Sequence, residues 1–174
     1  YRVQALGALA AACLVAPAVY PVASRPPAYR VEDVKAVLSR VEPLKRPGDL
    51  VYVYYAAAPV TTFYADRYGM SRTDYRVGGC HRGDGRRYFQ ELDSFRGHPR
   101  VWVLITHALP QYREREDILA YLDAIGSRQN DIRVPSLAVG RTPLPAEGFL
   151  YDLAGLARSD VTAATFPVTG PASA

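Results

Sequence analysis

The stretch LVYVYY, Leu50–Tyr55, decides the fold. Its six residues are apolar or aromatic without a break, and Val and Tyr favour strands. A strand with no polar alternation is covered on both of its faces, which is typical of parallel sheets flanked by helices. A second run of this kind, VWVLIT at Val101–Thr106, predicts another buried strand in the same sheet.

The segments around these two strands alternate between helical and extended patterns. Apolar residues recur at helical spacing in four places, and Tyr75–Val77 reads as a short strand between two of them. The four helical faces comprise Val34, Val37, Leu38 and Val41; Val60, Phe63, Tyr64 and Tyr68; Tyr88, Phe89, Leu92 and Phe95; and Ile118, Leu119, Leu122 and Ile125. Two closing strands, Ile132–Val139 and Phe149–Leu153, are joined by a loop without a helix and predict an antiparallel edge. We therefore expect residues 31–155 to form one α/β domain, a small three-layer, mostly parallel sheet with helices on both faces.

The N-terminal segment has a different composition. Val3–Val22 carries no charge over about 20 residues, a length that crosses a bilayer core, and small residues dominate it. We predict a transmembrane helix over residues 1–23, with a cleaved signal peptide or a buried soluble helix as alternatives. Residues 24–30, with Pro26 and Pro27, predict a stiff linker, and residues 156–174 predict a disordered tail.

The net charge of +4 raises the question of nucleic-acid binding. Lys35 and Lys45 are the only lysines among the 21 basic residues, and the arginines alternate with acidic residues, as in Arg113–Asp117 (RERED). Such interleaving makes no basic stripe, so we expect no nucleic-acid partner.

Polar residues follow each of the three predicted parallel strands. Tyr54 and Tyr55 end the first strand, Cys80 and His81 follow the second, and His107 follows the third. Ligands bind beyond the carboxyl ends of strands in open α/β sheets, so this edge is the predicted site. The stretch VGGCHRGDGRRYF, Val77–Phe89, is either part of that site or only the connection between a strand and a helix, with Asp84 as the helix cap.

The glycine-rich stretch matches none of the common catalytic signatures. Its glycine spacing fits neither the phosphate loop nor the dinucleotide fingerprint, and its Cys and His spacing gives no metal motif. Adjacent side chains in extended chain point apart, so Cys80 as a nucleophile would need a distant base such as His107. We expect the turn to need the backbone freedom of Gly78 or Gly79.

Three further segments carry a resemblance to a known family: VEDVKAVL at Val31–Leu38, RPGDLVYVYYAAAPVTTFYADRYG at Arg46–Gly69, and VGGCHRGDGRRYFQELDSFRGHPRVWVLITH at Val77–His107. Preceded by a small-residue apolar span and followed by FLYDL at Phe149–Leu153, they resemble the C-terminal region of bacterial GT-C-fold membrane glycosyltransferases. These are family 39-like proteins related to protein mannosyltransferases and the lipid A aminoarabinose transferase.

The resemblance implies a last membrane helix followed by an extracytoplasmic α/β domain at the bacterial inner membrane. It implies membrane lipid and neighbouring transmembrane helices as partners, a polyprenyl-phosphate sugar as donor, and no cofactor in this part of the protein. The family's acidic catalytic residue lies in an upstream loop, so no catalytic residue is carried onto this chain. It also implies that this chain is an accessory domain without the catalytic loop.

Tyrosine and arginine side chains suit sugar stacking and phosphate pairing. The candidate ligand-facing residues are Tyr54, Tyr55, Tyr64, Arg67, Tyr68, Cys80, His81, Arg82 and His107. Core packing is the competing interpretation for the tyrosines, above all for Tyr64. Two other functions stay open: a signal-anchored extracytoplasmic binding module without enzymatic activity, and a small hydrolase that uses Cys80 and His107.

Overall fold

The computed structural model describes residues 33–135, 144–155 and 160–170, together with Cys13. Five strands form one sheet in the order β2-β1-β3-β5-β4. The strands are β1 (Leu50–Val53), β2 (Tyr75–Val77), β3 (Val101–Ile105), β4 (Ser127–Val134) and β5 (Ala146–Asp152). The helices are α1 (Val34–Val41), α2 (Ala58–Tyr64), α3 (Gly85–Asp93) and α4 (Glu114–Ile125), and single 3₁₀ turns cover Glu42–Leu44, Tyr55–Ala57, Ala65–Tyr68 and Pro110–Tyr112.

The sheet is mixed. β1 pairs in parallel with both β2 and β3, whereas β5 pairs antiparallel with both β3 and β4. The predicted α/β class is confirmed. Within the described residues the sheet is evenly divided between the two kinds of pairing, so the expected "mostly parallel" sheet is corrected to a mixed one.

Helices cover both faces of the sheet, and this explains the unbroken apolar runs. Val51 and Val53 of β1 point to the layer of α1 and α2. Tyr52 and Tyr54 point to the layer of α3 and α4. Since successive side chains of a strand point to opposite faces, a strand buried on both sides cannot show polar alternation.

The last two strands differ from their predicted bounds. β4 begins at Ser127, directly after α4, and its first half is polar and exposed because β4 is an edge strand. An edge strand that is buried only in part shows little apolar periodicity, and the irregular register between Arg128 and Asn130 weakens the pattern further. β5 begins at Ala146, inside the stretch predicted as a loop, and is buried from its first residue.

The face of α2 also differs from the prediction. The helix and the 3₁₀ turns on either side of it bury Ala57, Thr61, Ala65 and Tyr68, while Phe63 is 78% exposed. Small residues let the helix approach the sheet closely, so the larger side chains at Val60, Phe63 and Tyr64 lie on its flank or outside. The predicted face is therefore wrong for Phe63, whereas Tyr68 is buried as predicted and Val60 and Tyr64 are half-buried against the same core.

A buried carboxylate fixes the chain at the start of β1. Asp49 accepts hydrogen bonds from Arg100 (Nε to Oδ1, 2.7 Å), from the Trp102 indole (Nε1 to Oδ2, 3.0 Å) and from the Arg46 backbone N–H (3.0 Å). Burial opposes ionisation, but the hydrogen bonds from Arg100, Arg46 and Trp102 outweigh it, so the pKa of Asp49 lies below its ordinary value of 3.8.

Residues 160–170, called the C-terminal segment below, pack against the domain. Phe166 contacts the rings of Phe89 and Tyr121, with centroids 5.4 and 5.1 Å apart. Arg96 donates to the Val161 carbonyl at 2.6 Å. The prediction of a disordered tail over 156–174 is therefore corrected for this segment, because its Val161, Phe166 and Val168 pack against the core beside α3 and α4.

The predicted transmembrane helix over residues 1–23 and the linker over 24–30 lie outside the described residues, apart from Cys13, which is exposed. Among the residues that the structure does describe, no helix has the length and apolar character that crossing a membrane requires.

Candidate functional site

The carboxyl ends of β1, β2 and β3 meet at one edge of the sheet, because the three strands are parallel neighbours. Tyr54 and Tyr55 leave β1 there, and the turn Gly78–Asp84 leaves β2 beside them. Contacts join these two segments directly: the Arg82 guanidinium donates to the Tyr55 hydroxyl at 2.6 Å. The structure thus brings together four of the predicted site residues, Tyr54, Tyr55, His81 and Arg82.

Glu91 of α3 holds the glycine turn closed. Its Oε1 accepts the Gly79 backbone N–H at 2.9 Å and lies 2.6 Å from His81 Nε2. Its Oε2 accepts the Tyr52 hydroxyl at 3.1 Å. One carboxylate therefore connects β1, the turn and α3, and it fixes the orientation of the His81 ring.

Glu114 is a second hub and is buried at the start of α4, with 5% exposure. It accepts hydrogen bonds from the hydroxyls of Tyr54 and Tyr88, the latter at 2.9 Å. Tyr88 in turn accepts the His81 backbone N–H at 3.1 Å. Burial, with Glu114 adding to it, raises the pKa of both tyrosines well above the usual range, so both stay protonated donors.

Gly78 and Gly79 are required for space and not for backbone freedom. The positive-φ glycine of this turn is Gly83, at φ 89°, whereas Gly78 and Gly79 adopt backbone angles open to other residues. A Cβ on Gly78 would overlap the Tyr52 hydroxyl and lie 2.9 Å from Glu91 Oε2. The expectation about backbone freedom is therefore corrected to a requirement for close packing.

Tyr55, Arg82 and Tyr112, together called the Arg82 clamp, form the exposed part of the site. The Arg82 guanidinium carbon lies 4.3 Å from the Tyr112 ring centroid and 5.9 Å from that of Tyr55. Within residues 33–135, 144–155 and 160–170, no carboxylate forms a salt bridge with Arg82. The side chain is thus held in place by aromatic rings and keeps its charge available.

Asp84 stands at the predicted N-cap position of α3 but does not cap the helix. Its side chain makes no capping hydrogen bond and pairs instead with Arg87 at 3.2 Å. Because this pairing offsets part of the carboxylate's charge, Asp84 repels an anion at the turn less than an unpaired carboxylate would.

A small cavity of about 20 Å³ lies behind the turn, between α3, α4 and the C-terminal segment. His81, Tyr88, Glu114 and Asp117 contribute polar groups to its wall. This volume and this polarity suit one water molecule. The cavity is too small for a substrate, so a ligand at this edge of the sheet would have to bind outside it.

The C-terminal segment closes this cavity by binding Asp117. The buried Asp117 carboxylate accepts the backbone N–H groups of Thr169 and Gly170, each at 3.1 Å, and the Thr169 hydroxyl. Val168 and Gly170 form part of the cavity wall. The segment is therefore part of the site's architecture.

Cys80 and His107 are both exposed, and no hydrogen bond between described residues joins them. His107 Nδ1 lies 3.3 Å from the Thr106 hydroxyl, and its backbone has a positive φ of 57°. His81 is tied to Glu91, as described above. The geometry does not assemble the cysteine–histidine pair that a hydrolase of this kind requires.

Tyr64, Arg67 and Tyr68 do not join the site. They lie at the end of α2 and in the following 3₁₀ turn, on the opposite layer. Tyr68 is buried in the core of that layer, Tyr64 packs partly against it, and Arg67 is exposed. For Tyr64, the core-packing interpretation describes its surroundings.

Three residues of the site were missed by reasoning from sequence: Glu91, Glu114 and Tyr112. Glu114 belongs to the charge run Arg113–Asp117, which was interpreted only as the absence of a basic stripe, although Glu114 and Asp117 are buried three residues apart on one helical face. That spacing was the available signal. Glu91 lies three residues after Tyr88 in the same way, whereas nothing in the sequence indicated Tyr112.

No group of three or more His, Cys, Asp or Glu side chains able to hold a metal ion occurs in the part of the chain that is described. The clamp, the two carboxylate hubs and the turn offer hydrogen bonds, charge and aromatic surface.

Comparison of the chain with protein-family models, with curated proteins and with solved structures gave no match.

Proposed function

We propose that this chain is an accessory domain of a membrane glycosyltransferase and that the Arg82 clamp binds the phosphate of a polyprenyl-phosphate sugar. The single observation that carries the proposal is the exposed guanidinium of Arg82, held between Tyr55 and Tyr112. The assignment of glycosyl transfer itself rests on the family resemblance of the sequence.

The chemistry of the clamp supports an anionic ligand. Arginine presents a planar fork of donors that matches phosphate oxygens, and its weak hydration suits stacking on aromatic rings. The buried carboxylate of Glu114 accepts two tyrosine hydroxyls, and no hydrogen bond within the described residues joins it to Arg82. The tyrosine rings add flat surface on which a sugar or an isoprenoid chain can lie.

The domain acts in this proposal by binding and positioning, and not by covalent catalysis. His81 is held by Glu91, and Cys80 has no base in contact with it among the described residues. The catalytic acid or base then comes from another part of the protein, on the extracytoplasmic side of the inner membrane. Membrane lipid and transmembrane helices are the expected neighbours.

The proposal is tested first by binding to the full 174-residue chain. Farnesyl phosphate serves as the probe, and amide chemical shifts of the turn and of Tyr112 report binding. Loss of one exposed charged contact is worth about 0.2–1 kcal/mol, so Arg82→Ala should weaken binding by up to about fivefold. Arg72→Ala, an exposed arginine before β2 at the other end of the sheet, is the matched control.

Equal affinity of Arg82→Ala and the parent chain would refute the clamp as the phosphate site. The second step is transfer from a polyprenyl-phosphate sugar by the membrane protein that carries this chain, where Arg82→Ala should lower the rate. Binding that Arg82→Ala weakens, with no transfer by that protein, would instead favour the signal-anchored binding module.

A further inference from the structure

A second polar cluster interrupts the core at the other side of the 3₁₀ turn Pro110–Tyr112. Glu147 of β5 is only 2% exposed, on the face of the strand whose later residues Phe149 and Tyr151 build the apolar core. A buried charge in an apolar row is costly unless it is paired, so its presence requires a specific reason.

Two arginines pair with Glu147. Arg115, in the first turn of α4, contacts both carboxylate oxygens, through Nε to Oε2 and through Nη2 to Oε1 at 2.8 Å. Arg133, directly opposite Glu147 on β4, donates Nε to Oε1 at 2.7 Å. The buried carboxylate therefore fixes two guanidinium groups that would otherwise repel each other.

Arg133 has hydrogen-bond donors that no described residue uses. Its side chain is 55% exposed, and the described residues provide no hydrogen bond to its two terminal amino groups. Arg115, by contrast, uses its third nitrogen on Glu116, at 3.3 Å. An arginine pinned through Nε with its outer edge free is preorganised to donate to a ligand oxygen.

These side chains line an open cleft of about 280 Å³. Its polar groups are Arg115, Arg133, Glu116 and Glu147, and its apolar surface comes from Ala108, Pro110, Leu144 and Pro145. The two positive and two negative charges cancel. Glu116 also lines the cleft, with 45% side-chain exposure; its Oε1 accepts from Arg115, whereas its Oε2 takes part in no hydrogen bond within the described residues and can accept from a ligand.

We propose that this cleft, here called the Glu147 cleft, binds the neutral ring of a sugar. Each sugar hydroxyl both donates and accepts, so it can accept from Arg133 and donate to Glu116. The apolar residues then face the C–H side of the ring. A cleft with no net charge, and with an exposed carboxylate at its rim, gains little from an anion.

The Glu147 cleft and the Arg82 clamp are neighbours. Pro110 lines the cleft, and Tyr112, two residues later in the same 3₁₀ turn, belongs to the clamp. In this assignment one ligand spans the turn, with its phosphate on the clamp and its sugar in the cleft. This assignment of the sugar portion deepens the proposed function and rests on it.

The test uses the full chain and three methyl glycosides, those of mannose, glucose and galactose, with inorganic phosphate and acetate as charged probes. We expect at least one glycoside to shift the amides of Glu116, Arg133 and Ala108 with millimolar affinity. Glu116→Gln and Arg133→Ala should each weaken this binding at least threefold. Arg46→Ala, an exposed arginine at the amino edge of the sheet, should leave it unchanged.

Glu116 is exposed, so Glu116→Gln keeps the fold and remains informative if Arg133→Ala lowers the melting temperature. No glycoside binding, equal binding by the Glu116→Gln variant, or tighter binding of phosphate or acetate at the same amides would each overturn the proposal. Farnesyl phosphate binding at the clamp is measured separately. If farnesyl phosphate binds at the clamp but no glycoside binds, only the assignment of the sugar to the Glu147 cleft fails. If glycosides bind but farnesyl phosphate does not, the proposed function fails and the sugar site stands.

Discussion

Replacing Gly78 with alanine tests whether the glycine turn is held closed by packing against β1. The new methyl group would overlap the Tyr52 hydroxyl and lie 2.7 Å from Tyr52 Cζ. Tyr52 is 1% exposed and packs edge-on against Phe95, with ring centroids 5.8 Å apart. The ring therefore has no open space into which it can swing.

The cost has two parts. Forcing an extra methyl group into a packed site costs about 1–3 kcal/mol. Moving Tyr52 also breaks its hydrogen bond to the Glu91 carboxylate, and a bond to a charged group contributes about 1.5–3 kcal/mol. We expect Gly78→Ala to lower the free energy of unfolding by about 3–5 kcal/mol, which corresponds to a drop in melting temperature of roughly 10–20 °C for a domain of this size.

Urea unfolding and thermal melting of the full chain measure the effect, with Gly79→Ala as the matched control. A Cβ on Gly79 would lie 2.7 Å from His81 Cε1, so the partly exposed ring must shift and its contact with Glu91 weakens; the buried Tyr52 keeps its place, so the control should cost less than Gly78→Ala. Tyr52→Phe removes the nearest atom and should recover part of the loss when combined with Gly78→Ala. This account of the turn would be refuted if Gly78→Ala melted within 2 °C of the parent chain. It would also be refuted if Gly79→Ala had the lower melting temperature of the two variants.

Three further predictions concern other parts of the molecule. Asp49 has a pKa below its ordinary value in the folded state, so the stability it provides is complete above the unfolded pKa and is lost as the pH falls from about 4 through the folded pKa. Asp49→Asn should therefore reduce the dependence of the free energy of unfolding on pH in this range, as measured by urea unfolding. An unchanged dependence on pH would contradict the buried pairing with Arg100. Asp117→Ala should release the C-terminal segment and speed hydrogen exchange at Thr169 and Gly170, while Asp123→Ala, at an exposed partner of Arg128, should leave those two amides unchanged; equal exchange in both variants would mean that Asp117 does not hold the segment. Phe63→Ser should change the free energy of unfolding by less than about 0.5 kcal/mol, because this side chain is on the surface, whereas a loss of 2 kcal/mol or more would show that the face of α2 is packed as its sequence pattern predicted.

The strands could be predicted from the sequence where burial on both faces produces an unbroken run of apolar residues. β1 and β3 were predicted almost to the residue, because both are covered on two faces and therefore carry unbroken apolar runs. β4 was displaced by several residues, because its exposed edge carries Ser127, Gln129 and Asp131, which show no apolar period. Local patterns cannot report that β5 takes the place beside β3, since strand order is a property of the whole chain.

The candidate site was predictable as far as topology determines it. Parallel strands end at one edge, and this placed Tyr54, Tyr55 and His81 together before any contact was known. The carboxylates that organise the edge were not predictable in the same way, because Glu91 and Glu114 look like ordinary surface residues of amphipathic helices. Glu114 is buried and Glu91 half-buried because tyrosine hydroxyls face them, and those hydroxyls belong to Tyr52, Tyr54 and Tyr88.

The place of β5 between β3 and β4 sets the order in which the chain can fold. Both neighbours are synthesised before β5, so a growing chain that ends at Val134 holds β3, five buried residues in the finished sheet, with one edge open. At about 5–20 residues per second, the ribosome takes roughly one to four seconds to supply the missing strand. An open apolar edge of this kind pairs readily with other chains. Truncation before Ala146 should therefore yield an aggregating fragment and not a smaller domain, and the last step of folding waits until β5 has left the ribosome.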